Sequence, residues 1–244
     1  MNKENTLFSL VGLGFGLFLG FAFVVWANER TTASRGTMAA ETAASGGDAQ
    51  NGESSITVAE REQLESEMEQ AAKRARENPN DINAQMQAGS VHYATQQYPD
   101  ALEFFLRANQ LQPDNIEAVV ALGNVNYDAG KYEAAEKWYT AALLKKPDDV
   151  NVRTDLGLTY LLRAPADPAR AITEFRRSLE RDPTHVPTLQ NLVVALTRKG
   201  EKQEARATLT KLEQLAPDNP TLPRLRAELD AKSPASAASA SGTE

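Results

Sequence analysis

Five prolines recur along the chain at an almost constant interval. Pro79, Pro113, Pro147, Pro183 and Pro217 are separated by 34, 34, 36 and 34 residues. A fixed period of this length is typical of stacked repeats, in which each repeat is one supersecondary unit that packs on its neighbours. We therefore expect an array of repeats rather than one irregular core.

Each repeat contains two helical patterns separated by a polar turn. In the copy from 116 to 149, Leu122, Gly123 and Tyr127 precede the turn, and Ala135 and Tyr139 follow it. The spacings of three and four residues between apolar positions favour helices. Small residues such as Gly123 should let the paired helices approach closely, and aromatic partners should fill the space between neighbouring hairpins.

The third and fourth copies depart from this pattern. The turn Ala164–Pro168 is two residues longer in the third copy, which accounts for the interval of 36. In the fourth copy Val193 replaces the glycine and Leu209 replaces the aromatic residue.

The repeated leucine-glycine, tyrosine, alanine, aromatic and terminal proline positions resemble the tetratricopeptide repeat family over residues 82–219. The resemblance implies an all-α superhelix of four helix-turn-helix repeats, at 82–115, 116–149, 150–185 and 186–219. A lead-in helix within 56–81 and a capping helix within 220–232 should cover its two ends, because terminal repeats need a solvated outer face.

In such an array the first helix of each hairpin lines the concave surface, which is the expected binding groove. Projected from the repeat register, the groove residues are Met86, Ser90, Tyr93, Val120, Asn124, Tyr127, Thr154, Leu158, Leu161, Gln190, Val194 and Thr197. This mainly apolar set suits an amphipathic helix or an extended peptide of a partner protein, and Asn124 could pair with its backbone. We expect Asn124 and Tyr127 to lie outside the inter-repeat core. No Lys or Arg belongs to the set, so a clamp for a C-terminal carboxylate is not expected.

An uncharged run of 21 residues, 7–27, follows a six-residue tail at 1–6. As a helix it would span about 30 Å, the thickness of a bilayer core, and it predicts a single transmembrane anchor. The alternative is a signal peptide cleaved after Val25-Trp26-Ala27, but the length of the run and its interfacial Trp26 favour retention.

Gly12, Gly16 and Gly20 lie four residues apart on one face of this segment and form a candidate face for a homodimer. The alternative is that glycine is simply common in membrane helices. Lys3 on one side and Arg30 and Arg35 on the other leave the orientation undecided by charge. We expect the six-residue N-terminal tail to stay in the cytoplasm while the repeat domain crosses the membrane. This predicts a bacterial inner-membrane protein with a periplasmic repeat domain.

Residues 28–55 and 233–244 are rich in Ala, Ser, Thr and Gly and lack apolar periodicity. We expect both to be disordered, the first as a flexible tether between the anchor and the repeats.

The composition argues against several functions. With a net charge of −7, the chain lacks the basic surface that a nucleic-acid-binding protein needs. The chain has no cysteine, and its two histidines, His92 and His185, begin no metal-binding or catalytic pattern. We therefore expect no catalytic residue, cofactor or metal, and a protein that is not an enzyme.

The architecture predicts a membrane-anchored scaffold that captures a segment of a partner protein. An anchor, a tether and four repeats also look like the accessory subunits of bacterial cytochrome c maturation, which hold the apocytochrome for haem attachment. The alternatives are a translocon-associated subunit, an assembly factor for envelope complexes, and a regulator that acts through self-association.

Overall fold

The computed structural model describes residues 58–231, which form ten α-helices and no strand. In chain order these are α1 (Val58–Glu77), α2 (Ile82–Ala94), α3 (Tyr98–Leu111), α4 (Ile116–Asp128), α5 (Tyr132–Lys145), α6 (Val150–Leu162), α7 (Pro168–Arg181), α8 (Val186–Lys199), α9 (Lys202–Leu215) and α10 (Leu222–Asp230). The all-α prediction is confirmed for this part of the chain.

None of the helices between residues 58 and 231 combines the length and apolar character needed to cross a bilayer. The predicted transmembrane segment 7–27, its glycine face, the tether 28–55 and the tail 233–244 lie outside the described residues.

Four helix hairpins, α2–α3, α4–α5, α6–α7 and α8–α9, stack in chain order. The first helix of three hairpins is capped by a side chain that accepts hydrogen bonds from its first turn, namely Asp81, Asn115 and Asp149. The neighbouring Asp148 pairs with Arg181 at 2.9 Å.

The second helices end two residues before each repeat proline. α3, α5, α7 and α9 end at Leu111, Lys145, Arg181 and Leu215. Each is followed by a residue with a non-helical backbone, as expected for the position before a proline. The prolines thus stop each repeat and let the next begin on a new axis.

Each of the first three hairpins is closed by a glycine on its first helix and an aromatic ring on its second. A Cβ added to Gly89 would lie 2.7 Å from the ring of Phe105, and one added to Gly123 would lie 2.6 Å from the ring of Tyr139. We expected the rings to fill the space between hairpins, but each also packs on the glycine of its own hairpin. Phe105 does both, because it belongs to a cluster with Leu122 of the next repeat.

In the fourth hairpin the contact between the two helices is made by different residues. Val193 and Leu209 are both buried where the other repeats have glycine and an aromatic ring. A smaller partner on the second helix therefore accompanies a larger residue on the first.

Both ends of the stack are covered by a further helix. α1 packs on α2 and buries Ala71, Ala72 and Ala75 against Ala88 and Phe104. At the other end α10 packs on α8 and α9 through three buried leucines, Leu222, Leu225 and Leu229.

Candidate functional site

We call the surface formed by α2, α4, α6 and α8 the A face. Five of the predicted groove residues lie on it with part of their side chains accessible: Met86, Ser90, Tyr93, Val120 and Asn124. All five belong to the first two repeats, so the accessible part of the predicted groove lies toward the N-terminal end of the stack.

Two polar residues of the predicted groove are internal, which corrects the expectation that they line an open surface. Thr154 is 3% exposed, and its hydroxyl lies 2.6 Å from Thr188 Oγ1 of the next repeat. Gln190 is 7% exposed, and its side-chain nitrogen donates to Asn219 and Thr221 before α10. Both are covered because the following hairpin or the capping helix lies against this turn of the first helix.

Four more predicted groove residues, Tyr127, Leu158, Leu161 and Val194, are buried as well. The backbone carbonyl of Leu161 accepts a hydrogen bond from Arg198 at 3.2 Å. Thr197, at the matching position of the fourth repeat, is partly buried, and its hydroxyl oxygen has no hydrogen-bond partner among the described residues. The third and fourth repeats thus present a more closed A face than the register predicts.

Asn124 is tied to the core through a hydrogen bond. Its side-chain oxygen accepts from the hydroxyl of buried Tyr139 at 2.9 Å, while its amide N–H groups donate no hydrogen bond within residues 58–231. Asn124 can therefore donate to a peptide backbone but its acceptor is engaged. The expectation that Asn124 and Tyr127 both lie outside the core is wrong, since Tyr127 is 5% exposed.

A cluster of tyrosines and aspartates lies where the first three repeats meet. The hydroxyl of Tyr93 on α2 donates to Asp128 Oδ2 at the end of α4. The ring of Tyr93 lies 6.3 Å from that of Tyr98, and the ring of Tyr127 lies 5.8 Å, edge to face, from that of Tyr132. With Asp155 on α6 these residues form what we call the Tyr–Asp patch: Tyr93, Tyr98, Tyr127, Tyr132, Asp128 and Asp155.

The hydroxyl of Tyr127 is buried and has no hydrogen-bond partner among the described residues. The repeat register explains this: Tyr93 pairs with Asp128, and the residue one period after Asp128 is Leu162, which cannot accept from Tyr127. Burial raises the pKa of Tyr127 well above its usual value, and the negative charge of Asp155 raises it further. The hydroxyl is thus neutral, and its oxygen, which can also accept an N–H, has no partner within residues 58–231.

Asp155 carries an unusual carboxyl group. Burial raises its pKa to about 7, and the charges of Asp128 and Asp149 add to the shift. Burial also raises the pKa of Asp128, while the hydrogen bond from Tyr93 opposes the rise. No Lys or Arg within residues 58–231 forms an ion pair with Asp128 or Asp155, so the patch concentrates negative charge without a counter-ion.

Sequence reasoning identified Tyr93 and Tyr127 but missed Asp128, Asp155, Tyr98 and Tyr132. One signal was available, because Asp155 stands within an apolar stretch of α6, where aspartate is a poor helix former. The hydrogen bond between Tyr93 and Asp128 joins two neighbouring repeats over 35 residues of sequence, which the register alone does not predict.

The two histidines have local partners. His92 is buried, stacks on Phe104 at 5.3 Å and bonds Gln97 at 2.8 Å through Nδ1. His185 bonds Thr188 and Asn151. Within the part of the chain that the structure describes, no group of three or more His, Asp or Glu side chains is placed to hold a metal ion.

A shallow depression of about 450 Å³ lies between α7, α8 and α9, away from the Tyr–Asp patch. Two of the charged groups that line it, Arg176 and Glu204, already pair with each other at 2.7 Å. The patch is therefore the stronger candidate for a ligand.

Comparison with known families agrees with this geometry. Residues 92–154 match a tetratricopeptide repeat model, and residues 127–223 match the middle TPR-like domain of cilia and flagella-associated protein 70. The helical array is a tetratricopeptide repeat domain. No curated protein sequence matches the chain.

Solved structures share the fold of this tetratricopeptide repeat domain. MamA 41-end from Desulfovibrio magneticus RS-1 is 22% identical with a TM-score of 0.59, over 66% of this chain and 89% of that chain. YrrB, described as a TPR protein with an unusual peptide-binding site, is 20% identical with a TM-score of 0.58, over 70% and 87%. PilF of Pseudomonas aeruginosa is 21% identical with a TM-score of 0.58, over 70% and 77%.

Proposed function

We propose that this protein is a scaffold, rather than an enzyme, that captures a peptide or a helical segment of a partner protein on the A face of its first three repeats. The observation that carries the proposal is the accessible row from Met86 to Asn124 beside polar groups that have no partner in the described chain. Buried polar groups without partners are uncommon in folded proteins and suit a surface that is completed by a ligand. The structural likeness to YrrB, which has a peptide-binding site, supports the same role by analogy.

The proposal includes a membrane anchor at residues 7–27 and a tether at 28–55. The support is the sequence: an uncharged run of bilayer length, followed by a segment that lacks apolar periodicity. By square-root scaling, a flexible tether of this length would span about 30 Å, so the repeats could search for partners near the membrane. We place the repeat domain on the periplasmic side of an inner membrane.

A narrower hypothesis is that the captured segment belongs to an apocytochrome or to a haem-attachment subunit. It rests on the resemblance in architecture to the accessory subunits of cytochrome c maturation. The competing partners are translocon subunits, envelope complexes under assembly, and a second copy of this chain joined through Gly12, Gly16 and Gly20.

The test is cross-linking of the full-length protein in its native membrane, followed by identification of the proteins that co-purify. Ser90 is exposed on the A face and its hydroxyl bonds only its own helix, so Ser90→Trp adds bulk to the groove at little cost to the fold. Leu144 on α5 is 81% exposed, so Leu144→Trp is the matched control.

We expect a partner that is retained by Leu144→Trp and lost in Ser90→Trp. Apocytochromes or haem-attachment subunits would support the maturation hypothesis, and other membrane proteins would discard it while leaving the scaffold. Retention of every partner by Ser90→Trp would contradict capture on the A face.

A further inference from the structure

The Tyr–Asp patch has an excess of negative charge that the described chain does not neutralise. Asp128 accepts the hydroxyl of Tyr93, and its charge adds to the rise that burial causes in the pKa of Asp155. Keeping two carboxylates near each other and partly out of water costs free energy unless a cation or several hydrogen-bond donors compensate. The only side-chain hydrogen bond that either carboxylate accepts within residues 58–231 is the one from Tyr93.

A second observation points to the same place. The hydroxyl of Tyr127 is buried beside Asp155 and has no hydrogen-bond partner within residues 58–231. A buried hydroxyl that lacks a partner loses its hydration without compensation, so its position favours a ligand that completes the patch.

The aromatic rings set the chemistry of that ligand. Tyr93 with Tyr98, and Tyr127 with Tyr132, place two pairs of tyrosine rings beside the carboxylates. The faces of such rings attract cations, and arginine or lysine side chains are the cations that proteins most often place there.

The same chain contains a completed version of this arrangement. The hydroxyl of Tyr160 donates to Glu136 at 3.1 Å, as Tyr93 donates to Asp128. There, however, Arg163 and Arg170 each pair with Glu136 at 3.1 Å, and the guanidinium of Arg170 lies 4.2 Å from the centre of the Tyr160 ring. The Tyr–Asp patch has the tyrosine and the carboxylate of this arrangement but no arginine of its own.

We propose that the Tyr–Asp patch binds the guanidinium or ammonium group of an arginine or lysine side chain in the segment that the A face captures. The proposal rests on the function proposed above and specifies the chemistry of the segment: a basic residue flanked by apolar ones. Asp128 and Asp155 supply the charge and acceptors, and the tyrosine rings enclose the alkyl stem and the cation.

The experiment is to probe an array of random short peptides with the full-length protein in detergent. The test variant is Asp128→Asn/Asp155→Asn, which keeps the size of both side chains and an acceptor for Tyr93 while removing two charges. The control is Glu103→Gln/Asp218→Asn, which removes two charges at exposed positions. Circular dichroism melts establish whether each variant is folded. If the double variant is unfolded, the single variant Asp155→Asn takes its place.

We expect the bound peptides to be enriched in Arg or Lys, and the Kd of the strongest of them to rise about tenfold or more in the test variant, as for the loss of a close charge pair. The control should differ from the wild-type protein by less than about twofold, as expected for exposed charges. Citrulline in place of the arginine, or norleucine in place of the lysine, should weaken binding to the wild-type protein as the test variant does.

Two results would overturn the proposal while leaving the scaffold function in place. One is peptide binding without basic enrichment, and the other is enrichment that persists in the test variant. Failure of the wild-type protein to bind any peptide would overturn both this proposal and the scaffold function.

Discussion

Gly157 lies against the ring of Phe175 so closely that a Cβ at this position would come 2.8 Å from Cδ1 and 2.9 Å from Cζ of that ring. The first three repeats share this glycine–aromatic contact, and the fourth has Val193 with Leu209 instead. The two solutions suggest that the size of one partner limits the size of the other.

Gly157→Val should therefore destabilise the domain by about 2 kcal/mol or more, because the buried ring of Phe175 has little room to move. The double variant Gly157→Val/Phe175→Leu copies the fourth repeat and should be less destabilised than the sum of the two single variants, by at least about 1 kcal/mol. Urea unfolding of the four proteins measures this coupling. Additive effects would contradict the packing account.

A second prediction concerns the hydrogen bond between Asn124 and Tyr139. Asn124→Ala removes the acceptor of a buried hydroxyl and should lower the free energy of unfolding by about 1–3 kcal/mol. Adding Tyr139→Phe removes the unpaired hydroxyl and should restore much of the loss. If Asn124→Ala melts like the wild-type protein, Asn124 is an open groove residue as the register predicted.

A third prediction follows from the carboxyl group of Asp155, whose pKa is raised from 3.8 to about 7. Between pH 4 and pH 7 the carboxyl group of Asp155 is protonated in the folded state and ionised in the unfolded state. Because of this group, stability falls as the pH rises from about 4 to 7. Its contribution to stability is lowest above pH 7. Asp155→Asn should remove that loss and stabilise the domain on the order of 2 kcal/mol at pH 8, with little gain at pH 4.

The measurement is the difference in unfolding free energy between Asp155→Asn and the wild-type protein across this pH range. Taking the difference cancels groups that do not interact with Asp155, including His185, whose pKa is lowered by burial and which acts in the opposite direction as pH falls. A difference that does not change between pH 4 and 8 would contradict the pKa assigned to Asp155.

Much of the fold followed from the sequence because its determinants are local. The proline period and the polar residues before each helix indicate where helices begin, and α2, α4, α6 and α8 begin at Ile82, Ile116, Val150 and Val186. The sequence predicted the candidate site less well than the fold, because the contacts of the site depend on how neighbouring repeats pack. The pairing of Thr154 with Thr188 of the next repeat, 34 residues later in the sequence, closes a position that the register leaves open.

A fourth prediction concerns the side of the membrane. The chain has no cysteine, so a single one at exposed Leu144 gives an unambiguous label. In cells with a permeabilised outer membrane and an intact inner membrane, Leu144→Cys should react with a maleimide that cannot cross membranes. Labelling only after the inner membrane is broken would place the repeat domain in the cytoplasm and contradict the proposed location.

The central claim is that the A face captures a basic segment of a partner protein, and site-specific photo-crosslinking tests it most directly. A benzophenone amino acid is introduced at Val120, which lies on the A face of the second repeat, or at Leu144 as the control, and the full-length protein is irradiated in its native membrane. The account predicts an adduct from position 120 that is absent from position 144, with an arginine or lysine in or beside the cross-linked peptide. The same adducts from both positions, or none from position 120, would contradict it.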